Sequence, residues 1–428
     1  MKRARRLIAI AVVGVLAAGC GDSAPVVAPT PAPSAAPSFA TSGPTVPDPP
    51  SDAGPAASPS GSAVQTNPGP SPASGSDWRA LRWTGPVSIS ATAAPFDILL
   101  FAGSYVVVGT DGDRTTAWTS PDFATWTPAS VDGLPLADAA IGSPLAGPDG
   151  LLSLGVHGRL HCGTGEGATC DPLPVAIWTS PDGRSWHGRA APPVFAGATI
   201  ARFGAGPGGL VAVGDTGWDH PAIWFSADGV AWRKESLRST IFRHAMFFGL
   251  TAFRGGWVLT GQTNPIQEFC CGGADDSKMK AAAWFSADGR TWSRASVESP
   301  ARESMGDAYA GSDGLVSGGF DVIWVSTDGQ SWRIGPSKPD IAPVASDGER
   351  IIAVSQEVDN GLGLWVSSDG RSWQALADAG SASAKPAWNS TTGSPDSFRL
   401  LPRGLAILGT DGEDATSPMW LATPTGFP

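Results

Sequence analysis

The chain has 428 residues, with 28 Lys and Arg against 39 Asp and Glu and a formal charge of −11. That balance excludes two partner classes. Nucleic-acid binding runs on basic surface, and so does electrostatic adhesion to anionic lipid.

Residues 1–20 read as a secretory leader. MKRARR is basic and LIAIAVVGVLAA is apolar but too short to span a bilayer; Gly19-Cys20 closes it. The four cations of the leader (Lys2, Arg3, Arg5, Arg6) leave with it, so the mature chain is more acidic still. LAAGC resembles the bacterial lipobox, with Leu16 one place upstream of the usual position. The resemblance implies a lipid on Cys20; an ordinary secreted protein is the alternative. Residues 21–76 are mostly Pro, Ala, Ser, Gly and Thr without one Lys or Arg. Such a stretch buries too little apolar surface to offset ordering, and its prolines extend it, so it is predicted to be a disordered tether.

From residue 77 onward one phrase returns. WTSPDFATW stands at 118–126, WTSPDGRSW at 178–186, WFSADGVAW at 224–232, WFSADGRTW at 284–292, WVSTDGQSW at 324–332 and WVSSDGRSW at 365–373. A seventh copy, WLATPTGF at 420–427, keeps the first Trp and lacks the Asp. The leading Trp residues are 60, 46, 60, 40, 41 and 55 residues apart. The short spacings suit four strands with tight turns, and the long ones add loop.

Ahead of each copy lies a period-two apolar pattern punctuated by Gly, Asp and Pro. In the third repeat it predicts a strand near 198–205, a turn at Gly206-Pro207-Gly208, then LVAVG, AIWFS and AWRKES as strands. About seven such units predict an all-β fold over 77–428, a seven-bladed β-propeller of four-stranded antiparallel blades. The chain ends just past the turn of the seventh copy. WRAL at 78–81 matches WQAL at 373–376, so the N-terminal strand is expected to close the last blade.

The nine letters are read as structural, since six copies of one constellation cannot all be active sites. Asp122, Asp182, Asp228, Asp288, Asp328 and Asp369, each with its Ser, are expected to bond backbone N–H groups of the turn. A three-residue loop would set Trp224 directly opposite Trp232. Phe123 replaces the usual Gly, which predicts a different turn in the first blade.

S-x-D-G-x-[ST]-W resembles the Asp-box (BNR) repeat, S-x-D-x-G-x-T-W, of sialidase-like propellers, each copy being one residue shorter. The resemblance implies boxes on the hairpin between third and fourth strands, facing away from the pocket. It also implies an Arg cluster, a Tyr nucleophile with a Glu partner and an Asp acid/base. Tyr309 with Glu303 and Asp307 are the only candidates for these catalytic roles, because Tyr105 lies in an apolar strand. For the Arg motif only FRLLP at 398–402 is similar.

The loops between second and third strands vary most, and variable loops on a constant scaffold are where binding sits. Four cysteines lie on two of them and are expected to form disulfides in an exported chain: Cys162, Cys170, Cys270 and Cys271. Cys162–Cys170 is the favoured pairing, with a His157, His161, Cys162 and Cys170 metal site as the minor alternative. Trp218 and Asp219, with the acidic Asp275 and Asp276, are the ligand-binding candidates. The expectation is a non-enzymatic propeller, lipid-anchored on the outer face of the cytoplasmic membrane. It would recognise a glycan, an envelope polymer or a protein partner. The alternatives are a sialidase-like glycoside hydrolase and a scaffold of an envelope complex. No cofactor or metal is expected, nor nucleic acid; membrane contact is through the lipid alone, and the state is monomeric.

Overall fold

A computed structural model describes residues 77–158, 171–217, 220–237, 240–264, 278–300, 302–336, 341–356, 362–378, 394–410 and 417–425. They form seven sheets, the blades of a seven-bladed β-propeller. The third blade shows the plan: Thr199–Gly206, Gly209–Asp215, Pro221–Ser226 and Trp232–Lys234 pair antiparallel in order, innermost to outermost. From the third blade to the seventh each innermost strand packs beside the next, and that of the seventh meets that of the first. Among the described residues seven apolar clusters occur, one at each interface between neighbours. Each sheet is therefore buried on both faces, which is why second strands such as Leu210–Val213 are apolar without interruption.

Three sheets gain a short outer strand from the chain arriving from the preceding blade, and it runs parallel to its neighbour. Ser130–Asp132, Ser296–Val297 and Ala377–Asp378 do this. In the seventh sheet Asp77–Val87 lies antiparallel to Met419–Thr425, with Trp83 opposite Ala422.

The repeated phrase forms the hairpin between third and fourth strands. Its register differs from the expectation: Ser226 lies opposite Trp232, and Trp224 opposite Lys234. The loop holds five residues rather than three, so the two Trp are diagonal neighbours. Asp228 Oδ1 accepts the N–H groups of Val230 and Ala231 at 2.8 Å, and Ser226 Oγ accepts that of Gly229. Trp232 Nε1 donates to Gly229 O at 3.1 Å. The leading Trp ties down the connection from the preceding blade: Trp224 Nε1 donates to Val194 O, Trp284 to Ile241 O and Trp324 to Glu298 O. The nine letters thus recur because each copy closes a turn, and in blades three, four and five the leading Trp also clamps an inter-blade crossing.

The box Gly is required twice over. Its φ is positive, +76° at Gly183 and +75° at Gly229. A Cβ there would also stand 2.7 Å from Val106 and 2.8 Å from Leu152, on the second strand of the preceding blade. Phe123 overturns the expectation of an altered turn: its φ is +65°, and Asp122 bonds Ala124 and Thr125 as its counterparts do. The physical reason lies in the seventh blade. Ala406 stands, by register, where the other blades present Val106, Leu152, Val211, Val258 and Val316 to a box. The ring fills that space, 1% exposed, with Tyr105 at 5.3 Å and Trp126 at 5.8 Å between centroids. Phe123→Gly is expected to lose about 2–4 kcal/mol of stability, although it relieves roughly 1 kcal/mol of left-handed strain. Adding Ala406→Val is expected to restore part of the loss. Denaturant unfolding of both variants checks this, and an undiminished midpoint for Phe123→Gly alone would refute it.

Candidate functional site

The axis is lined by innermost strands, and four of them carry a β-bulge at one register position. The bulges fall between Pro95 and Asp97, Ile200 and Arg202, Phe247 and Gly249, and Pro395 and Ser397. Opposite all four the second strand holds a Gly (Gly109, Gly214, Gly261 and Gly409), and at the first three the carbonyl of Ala94, Thr199 or Met246 occupies the place of a Cβ. A bulge turns the next side chain to a new direction. Asp97 and Arg202 are the residues so placed in blades one and three.

Two ion pairs result. Arg202 binds Asp307 of the fifth blade through Nε and Nη2, at 2.7 and 2.8 Å. The pair passes over the fourth blade, where Gly249 lets Asp307 and Ala308 lie close. Arg399 of the seventh blade binds Asp97 of the first through the same two nitrogens, at 2.6 and 3.0 Å. Each Nη1 returns to the carbonyl of the residue before, Ala201 or Phe398. Asp97 also accepts the N–H of Ile98 at 2.8 Å, and its side chain is 5% exposed. The side chain of Arg399 remains 43% and that of Arg202 26% exposed.

Tyr309 lies two residues beyond Asp307, in electrostatic reach of both arginines. Burial, and then the Asp307 carboxylate, push its phenol well above the ordinary value, and the arginines only partly offset this. Asp97 above all holds Arg399 firmly charged. For Arg202 burial acts against the charge, but Asp307 outweighs it.

Of the three catalytic candidates, Asp307 and Tyr309 meet at the axis while Glu303 serves elsewhere. Glu303 is buried, and its Oε2 accepts the N–H of Phe320 at 3.2 Å. Burial raises its pKa, with the Phe320 and Asp321 N–H groups opposing. It braces the turn from Gly319 to Val322, which displays Phe320 at 59% exposure. Asp97 and Arg202 carry no mark in the sequence, whereas Arg399 stands in the FRLLP stretch that resembles the Arg motif; a Gly near the end of the second strand is the signal shared by the four bulges. Trp218, Asp219, Asp275, Asp276, Cys20, Cys162, Cys170, Cys270 and Cys271 lie outside the described residues.

Fold and axis together define a β-propeller with a charged polar centre. No protein-family model matches the chain, and no curated protein sequence does. Among solved structures, a Mycobacterium tuberculosis puromycin-hydrolyzing peptidase aligns at TM-score 0.46 and 12% identity, covering 80% of this chain and 55% of that one. An Aleuria aurantia lectin in complex with Fucα1-6GlcNAc aligns at 0.37 and 14%, covering 68% and 97%. A Trypanosoma rangeli sialidase aligns at 0.38 and 12%, covering 82% and 58%. The chain thus spans little more than half of the peptidase and of the sialidase, and the likeness is one of fold.

Proposed function

We propose that the protein is a non-hydrolytic binding propeller, tethered at the cell surface through Cys20 and residues 21–76, that recognises a glycan, an envelope polymer or a protein partner. The observation that carries the reading is the closed state of the axial arginines. Arg202 and Arg399 each give Nε and Nη2 to an aspartate, so the fork that would grip a substrate carboxylate is already occupied. A nucleophile needs a lowered pKa or an adjacent base. Tyr309 has its phenol held protonated, and Glu303 is engaged at Phe320. Polar groups on a rigid ring, without an activated nucleophile among the described residues of the axis, suit binding.

A panel of fluorogenic glycosides, sialosides included, tests the reading. The full chain is expected to release no fluorophore above a denatured control while being retained on immobilised envelope polymers or glycans. Release that Tyr309→Phe abolishes would overturn it in favour of a glycoside hydrolase.

A further inference from the structure

We infer that the axial cluster is a saccharide subsite selective for neutral, hydroxyl-rich rings over acidic ones. The inference rests on the binding reading above and names the ligand class.

Arg202, Arg399, Asp97 and Asp307 are the charged side chains of the cluster among those described, and they cancel. An anionic ligand brings a fifth charge to a compensated site, and it meets two carboxylates there. To reach a guanidinium fork it must displace an aspartate that is itself bidentate. A neutral ligand incurs neither cost.

Hydrogen-bond valence gives the ligand its chemistry. A guanidinium has five N–H donors, and three are accounted for in each arginine, so two per arginine remain. Each aspartate retains acceptor capacity beyond the bonds it makes. Tyr309 adds a hydroxyl. Surplus donors and acceptors stand side by side at both ion pairs. A carboxylate only accepts, and an ammonium only donates. A sugar hydroxyl does both, and vicinal hydroxyls address a guanidinium edge and its aspartate together. Because each pair is locked by two bonds, the groups are oriented before the ligand arrives, which lowers the ordering cost of binding.

The two ion pairs also act on one another across the ring. Arg202 and Arg399 come from blades three and seven, well apart around the ring, yet each lies within electrostatic reach of Tyr309 and Asp307.

The test is an array that pairs neutral oligosaccharides (glucose, galactose, mannose and N-acetylglucosamine termini) with uronate-terminated and sialylated counterparts, probed with the full chain. Wild type is expected to favour the neutral member by about tenfold or more. Asp307→Asn leaves the cluster with one net positive charge and frees part of the Arg202 fork. It is expected to shift the ratio toward the acidic member by about tenfold. Asp97→Asn makes the same charge change at the other pair and serves if Asp307→Asn does not fold, as thermal melting shows. A wild type that prefers acidic sugars, that binds no sugar, or whose preference survives both folded variants overturns the inference. None of these results touches the binding reading, which falls on glycoside turnover instead.

Discussion

Asp97→Ala is expected to lower the stability of the propeller by about 2–4 kcal/mol, the cost of stripping one partner from a buried ion pair, discounted for the exposure of the other. The carboxylate is 5% exposed and holds three bonds, two from Arg399 and one from Ile98 N–H. Its loss leaves an arginine beside the axis without its counter-charge. The pair also joins blade seven to blade one, where the ring meets itself. An exposed pair such as Arg233–Glu235 gives the contrast, because its attraction is screened by solvent. Arg233→Ala is expected to cost less than about 1 kcal/mol. Equilibrium unfolding in denaturant measures both, and equal losses would show that the axial pair is no different from a surface one.

Acid is expected to unfold the domain steeply below about pH 4, the ordinary titration range of aspartate. The six box aspartates all titrate lower in the folded chain. At Asp122 the N–H groups of Thr125 and Ala124 bring the pKa to about 2. At Asp228 those of Ala231 and Val230 lead. At Asp182, Asp288, Asp328 and Asp369 burial is the largest influence and opposes the shift, yet the turn N–H groups and the Ser hydroxyl together outweigh it. A carboxylate with a depressed folded pKa stabilises fully above its unfolded pKa, and the contribution is lost as pH falls through the folded one. Unfolding in that window therefore takes up protons, and stability falls on the way from pH 4 toward about 2. Asp122→Asn keeps an acceptor oxygen and removes the titration, so it is expected to flatten the pH dependence without opening the hairpin. Stability measured at several pH values reads this out; a slope unchanged in the variant would show that the boxes do not set the acid limit.

Fold class, blade number and the place of the boxes are legible in the chain. Those features follow from local pattern: period-two alternation, Gly at positive φ, and a Ser and an Asp that bond N–H groups two or three residues on. The hairpin register needed the structure, because a loop of three and a loop of five residues leave the same letters in the chain. Phe123 is a tertiary matter too. As a sequence it breaks the repeat, and only Ala406 across the seam makes room for its ring. The axial cluster was the least legible part. Arg202 and Asp307 are 105 residues apart, and Asp97 and Arg399 are 302 apart. Neither pair shares a motif, since the ring brings them together through bulges that carry no letter of their own beyond a Gly on the neighbouring strand. Local hydrogen bonding is written within a few residues, and a propeller can be read from it. Its centre is written in four blades at once, and charge meets charge there only when the ring closes.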